Sequence, residues 1–494
     1  MKTLLQYYFL VTFVLIALSQ QVNAQWNLVG DAIPGDNAEY QMLKYTEISG
    51  DGNVLIAGST SGIVMVYENS GSSWMKIGET FSDESVLTNL VGECAISGDG
   101  NVVAMSGGSF SGNEYVCIFS RSGSDWIQKG DTLYPDGTEM LKFGYAIALS
   151  SDGNVIAISA LHDNSNTGSV TIFEYDGTTW NLKGDKVFGE TSEMMGWSLD
   201  ISADGNVFIV GSEYHDDGGV ASVYAFESDA WELKGSRLIA AESNAHFGAS
   251  VSINNDGSII AIGAPKSMDA ENYGDDVGYV EVYEFVGTDW QQVGDRFYGN
   301  SENSEAGSSV SLNAAGDLLA VGSPGYAIAG GTEARGLVDV LKLYDGIWRP
   351  YGNEELPGYS IYGETVDDDE MGTEVSLNAS GNTVAIGIPG RDANGITESG
   401  VIEVYANANI SNDVNQSIVD SNIEVYPTVV TDAFMLYSDN DISLELINVH
   451  GICMLKNKFY KGESHIDISH LATGMYFIRI KKNEIYYFEK IIKK

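Results

Sequence analysis

One turn sets the limits on what this chain can fold into. A segment resembling Ser-x-Asp-Gly-Asn recurs with its glycine at 52, 100, 153, 205, 257, 316 and 381. Two other features keep step with it. A strand of the form x-Val-x-Val-Tyr appears as IVMVY, YVCIF, SVTIF, ASVYAF, YVEVY, LVDVLKLY and VIEVY, and a tryptophan followed four residues later by glycine recurs at Trp26, Trp74, Trp126, Trp180, Trp231, Trp290 and Trp348. All three series have seven members. Self-similarity at a period of roughly 50 residues marks a repeat architecture, in which each copy is one supersecondary unit that buries its apolar face only against its neighbours.

The clearest copy, Phe247 to Gly294, reads as four short strands: Ala249–Ile253, Ser258–Ile262, Tyr279–Phe285 and one around Trp290–Val293. Each alternates apolar and polar residues between Gly, Asn or Asp breaks. Four strands per copy is a propeller blade. The phase of the series then fixes the closure. WNLVG at Trp26 precedes any complete blade, while the last x-Val-x-Val-Tyr strand, ending at Tyr405, has no tryptophan strand after it. The surplus strand at one end supplies the missing strand at the other, so the ring closes by pairing its two ends and leaves no open edge.

The repeated residues have structural explanations. Asp-Gly sits where a tight hairpin needs positive φ, so Asp152, Asp204 and Asp256 are expected to shape turns, with no role as acids or ligands. A tryptophan present in every copy is expected to pack between blades. Trp197, after Gly196, stands where other copies have smaller residues and is read first as packing, with the lining of a surface pocket as the alternative.

Charge is unevenly spread. Between residues 25 and 422 lie 60 acidic and 15 basic residues, whereas residues 423–494 hold nine of each. Such a field repels phosphate, which argues against nucleic acid and anionic membrane surfaces as partners. It suits solubility outside the cell. The three cysteines, Cys94, Cys117 and Cys453, form no disulfide framework. Cys94 and Cys117 fall on the first and third strands of one blade, about 10 Å apart, too far to bridge.

Residues 1–24 have the form of a secretory leader: Lys2, then LLQYYFLVTFVLIALS, then small residues ending at Ala24. The apolar run is short for a membrane span, and no other segment is apolar enough to cross, so the mature chain is expected to lack a transmembrane segment. Residues 407–422 are polar and aperiodic and read as a linker. Residues 423–494 carry strands near Glu424–Tyr426, Leu444–Val449, Met475–Ile480 and Tyr486–Ile491, which suggests a small antiparallel, Ig-like β-sandwich.

Phe143-Gly144 and Phe247-Gly248 opening a blade, with GAP at Gly263–Pro265, GSP at Gly322–Pro324 and GIP at Gly387–Pro389 closing its second strand, resemble the FG-GAP repeat. That resemblance implies a seven-bladed propeller of the integrin α type, often used in adhesion and recognition. The family's Asp-rich calcium loop is here shortened to the Asp-Gly turn. One carboxylate cannot supply the six or more oxygens calcium takes. The tail resembles the C-terminal sorting domain of the type IX secretion system of Bacteroidetes, on VYPTVVTDAF from Val425, LELINVHGICM around Gly451, HIDISHLATGMYFIRI from His465 and the closing EKIIKK. This implies export through the periplasm and across the outer membrane, with the propeller released or held at the surface.

Motifs for catalysis are scarce. There is no His-Glu-x-x-His, Gly-x-Ser-x-Gly, phosphate-binding Gly-Lys-Ser/Thr or Cys-x-x-Cys. His162 with Asp163, and His215 with Asp216 and Asp217, follow second strands of neighbouring blades and are read as solvated loop residues. Asp367, Asp369 and Glu370 in ETVDDDEMG are read the same way.

These observations give an all-β chain: leader 1–24, a seven-bladed β-propeller over 25–406 closed by an N-terminal strand, linker 407–422, and a sorting domain over 423–494. The expected function is a secreted or surface module that binds protein or glycan, with type IX machinery as partner of the tail. No catalytic, cofactor-binding or metal residue is singled out, and calcium has no motif behind it. The alternative expectation is an extracellular glycoside hydrolase or lyase, whose acids would converge at the central channel.

Overall fold

The computed structural model describes residues 26–35, residues 45–407 except 60–61, 82–92, 110–111, 137–140, 216–217, 269–273, 328–333, 345, 352–359 and 364–368, and residues 423–493 with several short stretches excepted. The leader and nearly all of the linker lie outside these. Two compact units divide at residues 410 and 411. The first is a ring of seven antiparallel sheets. Blade one spans Tyr45–Lys76, two Cys94–Gln128, three Phe143–Leu182, four Ser198–Leu233, five Ser250–Gln292 and six Ser309–Pro350. Blade seven spans Glu374–Asn407 and takes its outer strand from Trp26–Leu28, with Trp26 opposite Asn407 and Leu28 opposite Tyr405. The ring closes as the phase of the repeats requires.

Apolar side chains gather in seven clusters, each shared by two adjacent blades. Leu318, Ala320 and Val338 of blade six meet Val375, Leu377 and Val384 of blade seven, and Ile402 and Val404 of blade seven meet Ile48, Leu55 and Ala57 of blade one. The repeated tryptophan belongs to these junctions. Its indole N–H donates to a main-chain carbonyl on the outer strand of the preceding blade: Trp180 to Lys129 at 2.7 Å, Trp231 to Lys183 at 2.6 Å, Trp290 to Lys234 at 2.7 Å and Trp348 to Val293 at 2.8 Å. Trp74 and Trp126 do the same. Trp26, in the closing strand, is buried with its indole nitrogen unpartnered among the described residues.

The turn that organises the sequence also organises the axis. In blade three, Ser150 Oγ donates to Asp152 at 2.7 Å, Asn154 donates main-chain and side-chain N–H to the same carboxylate, and Val155 N–H closes the loop onto Ser150 Oγ. Burial opposes ionisation of Asp152, but these hydrogen bonds outweigh it and hold the carboxyl below its ordinary range. Gly153 has φ +63°, and a Cβ there would lie 2.5 Å from Val102 Cβ. Both conformation and space therefore demand glycine. The residue after the turn's Ser or Asn links each blade to the next: Gly50 N–H to Gly98, Gly98 to Ser151, Ser151 to Ala203, Ala203 to Asn255, Asn255 to Ala314, Ala314 to Ala379, and Ala379 back to Gly50, all at 2.8–3.2 Å. Seven backbone hydrogen bonds thus form a closed circle at one end of the channel.

The Phe-Gly and Gly-Ala-Pro positions have a shared physical cause. Gly307 N–H donates to Gly322 O within blade six. Across the junction, a Cβ on Gly263 of blade five would sit 2.0 Å from Gly307 O. Gly211 with Gly248, and Gly322 with Gly372, repeat the contact. In blades two and three a serine, Ser106 or Ser159, takes the second-strand place, and the next blade's glycine, Gly144 or Gly196, packs on its Cβ.

Two details were not legible in the sequence. A fifth, two-residue strand follows the outer strand and pairs with the third: Val187–Phe188, Leu238–Ile239, Phe297–Tyr298, Ile361–Tyr362 and Ile33–Pro34. In the second unit a three-stranded and a five-stranded sheet enclose Phe434, Leu436, Leu444, Leu446, Ile466 and Ile478. It is a sandwich, but one pair, Val429–Val430 with Ile492–Lys493, is parallel, which corrects the all-antiparallel expectation. Cys94 and Cys117 form no disulfide, and Met105 stands in register between them.

Candidate binding funnel

At the end opposite the circle of turns, the channel widens into a cavity of about 1090 Å³. Its wall is built from the start of each inner strand. Counting back four residues from each turn's Ser or Asn gives Tyr45, Glu93, Ala146, Ser198, Ser250, Ser309 and Glu374, and all seven line it. The same count back meets four side-chain types in the seven copies: Tyr, Glu and Ala, with serine in blades four to six and glutamate again in blade seven. Tyr145, Trp197, Ala249, Ser308 and Thr373, each directly after a strand-opening glycine, extend the wall outward, and Trp197 therefore faces the cavity, contrary to its reading as packing.

Just above, one backbone conformation recurs with unlike side chains. The residue two before the strand-opening glycine is left-handed in five blades: Lys142 (φ 53°), Met194 (φ 51°), His246 (φ 57°), Glu305 (φ 55°) and Glu370 (φ 54°). Left-handed backbone at non-glycine residues is held in place only where the surroundings impose it. Each blade imposes it differently. Glu114 accepts the main-chain N–H groups of Leu141, Lys142 and Phe143 at 2.9–3.1 Å. Arg237 grips the buried Glu193 beside Met194 at 2.5 Å. Glu213 lies 3.3 Å from His246 Nδ1, Lys266 pairs with Glu305 and with Asp276, and Arg391 holds Asp369 beside Glu370 at 3.1 Å. The rim is thereby pre-organised.

The two sides of the funnel differ. On blades three to five an aromatic arc runs from Tyr145 to Trp197 (5.2 Å between centroids), to Tyr214 (5.2 Å) and on to His246 (5.0 Å), with the Lys142 ammonium 5.4 Å over Tyr145. Tyr214 is half exposed. Tyr45 completes the floor of this side, its hydroxyl pushed above the ordinary phenol range by burial and by Glu93, Tyr145 and Glu374. Burial and Glu213 raise Tyr145 likewise. On blades six and seven the wall is polar, with Ser301, Glu302, Asn303, Ser308, Thr373 and Glu370. Ser301 Oγ is buried and has no hydrogen-bond partner among the described residues.

Other residues weighed from the sequence lie apart. Asp163 is bound to Ser169 at 2.8 Å and to Lys186 at 3.0 Å, and burial with Lys142 holds His162 below its ordinary pKa. His215 is buried 3.7 Å from Glu190, while Asp216 and Asp217 lie outside the described residues. Nothing joins these histidines in one site. In ETVDDDEMG, Asp367 lies outside the described residues, Asp369 is buried against Arg391 and only Glu370 reaches the funnel. That corrects the reading of Asp369 as a solvated residue. No cluster of three metal-ligating side chains occurs among the described residues.

The second unit supplies the chain's address. Its two sheets carry the segments that resemble a sorting tail, and comparison with family models decides the matter. Residues 424–494 match the secretion system C-terminal sorting domain. The sorting domain directs this chain to the cell surface or the medium through the type IX machinery, with which it interacts. No helix among the described residues is long and apolar enough to cross a membrane. No curated protein matches the chain.

Proposed function

We propose that the propeller is an exported recognition module that binds an extracellular protein or glycan through the funnel. One observation carries this reading. The circle of turns at one end repeats one backbone hydrogen bond seven times, while equivalent places on the recurring backbone line the cavity at the other end with Tyr, Glu, Ala, Ser, Trp and Thr side chains. Divergent side chains on an invariant, clamped scaffold are what recognition needs. Export by the sorting domain places the module where such ligands are.

A catalytic reading has one observation in its favour: Glu93 and Glu374 both line the cavity with Tyr45, so two carboxylates face the cleft. Binding of the mature chain to arrays of glycans and surface proteins, with and without calcium, separates the readings. Saturable binding without consumption of the ligand supports the module, and loss on chelation would bring calcium into it. Release of shortened glycan overturns it in favour of a hydrolase or lyase.

A further inference from the structure

We propose that the ligand of the funnel is an uncharged carbohydrate, a short oligosaccharide or a chain end. This rests on the binding reading above and names its ligand class. The two walls match the two faces of a sugar. An aromatic ring carries negative potential over its face, which attracts the polarised C–H groups on the flat side of a pyranose. Tyr145 and Trp197 line one side with ring centroids 5.2 Å apart, and the half-exposed Tyr214, edge-on to Trp197, continues the arc beyond the lining. Across the cavity, Glu302, Glu370 and Glu374 offer carboxylate acceptors, Asn303 offers an amide that donates and accepts, and the Ser308 and Thr373 hydroxyls, which donate to the main-chain carbonyls of Glu305 and Glu370, offer acceptor lone pairs. A sugar edge carries hydroxyl donors for each carboxylate, and hydrogen bonds to ionised acceptors are the strong kind.

Charge and size narrow the class. Among the described residues, five glutamates line the cavity and no Lys or Arg does. An anionic sugar entering such a partly water-excluded space meets repulsion on several sides. The volume of about 1090 Å³ is at the upper end for small-ligand sites, which suits several sugar rings better than one.

The experiment is calorimetric titration of the mature, full-length chain with xylohexaose, mannohexaose, cellohexaose and chitohexaose, against hexagalacturonate as the anionic control and a lysine-rich peptide as the cationic one. Saturable binding of at least one neutral hexaose, none of hexagalacturonate, and at least a tenfold loss in both Trp197→Ala and Ser308→Trp at unchanged Tm is expected. Trp197→Ala removes the stacking ring and Ser308→Trp fills the mouth, so the two report independently of each other's fold. The proposal is overturned if hexagalacturonate binds as well as the neutral sugars, if both variants bind as tightly as the parent, or if no neutral hexaose binds at about 10 mM. Saturation by the peptide alone overturns the carbohydrate and leaves the recognition module standing. Cleavage of a bound neutral hexaose supports the carbohydrate and removes the module.

Discussion

The two ends of the propeller channel are made from the same seven inner strands, yet one end repeats itself and the other does not. At the turn end, Ser or Asn, then a linking residue, then Asp or a substitute, then Gly form a hairpin saturated with internal hydrogen bonds, and the linking residue's N–H passes to the following blade until the circle closes. At the funnel end, the position four residues before the turn runs from Tyr45 through Glu93 and Ala146 to Glu374. The contrast teaches where a repeat stores its stability and where it is free to vary. A residue that must fit against a copy of itself in the next blade cannot drift, whereas one that faces the axis can.

The largest effects should come from disturbing what is repeated. Trp180→Ala, which removes a buried ring and an indole bond of 2.7 Å, is expected to cost about 3–5 kcal/mol in denaturant unfolding. Trp26→Ala, whose indole nitrogen has no partner among the described residues, should cost measurably less. Equal losses would mean that the closing seam is no weaker than the others. Gly153→Val forces a left-handed β-branched residue into Val102, and a loss of about 3 kcal/mol or more is expected, seen as a fall in Tm.

An intermediate effect lies between the ends, on the inner strands. Two residues before each turn, Glu47, Asp200, Ser252, Ser311 and Ser376 accept a main-chain N–H from the next blade, at 2.8–3.1 Å, while Ala95 and Ala148 cannot. Burial pushes the Glu47 carboxyl up to about 8 despite the Ile96 N–H, and Asp200 up to about 6. Between its ordinary value of 4.5 and about 8, Glu47 keeps in the folded state a proton that the unfolded chain has released. Stability should therefore fall as pH rises through that window, by up to about 1.4 kcal/mol per unit, and level off above it. Glu47→Gln keeps an acceptor for Ile96 and should flatten the decline between pH 5 and 9. An unchanged slope would assign it to other groups.

The smallest effect on stability should come from the funnel. Glu370→Ala and Thr373→Ala are expected to leave unfolding within about 0.5 kcal/mol of the parent while weakening ligand binding severalfold. A large loss of stability with binding intact would reverse the comparison and make the funnel wall structural.

Much of the turn end can be read from the sequence because its constraints are local. Asp152 and Gly153 announce a hairpin by residue type alone, and the phase of Trp26 against Tyr405 reveals the closure. The funnel is harder to read because its residues meet only through the ring. Trp197 carries no local sign of facing the axis, and its reading as packing failed for that reason. The signal is present in another form: aligned on their turns, the copies agree at Asp152 and Gly153 and disagree at Tyr45, Glu93 and Ser198. Divergence among internal copies points to the site. The two-residue fifth strands escaped because two residues show no alternation, and the clamps such as Arg237 on Glu193 because the partners, here at opposite flanks of blade four, lie 44 residues apart in the chain.

The seam of blade seven also sets how the molecule bears load. Trp26 faces Asn407, so the chain enters and leaves the ring at the same corner, on antiparallel neighbours. A pull applied between those two points loads the pairs one at a time, first Trp26 with Asn407, then Asn27 with Ala406, then Leu28 with Tyr405. The geometry is that of a zip, which opens at low force, and the outer strands of the other six blades, each continuous with its own blade through a hairpin, lie off the line of tension. Mechanically, the ring is a clasp whose catch sits where the chain's two ends meet.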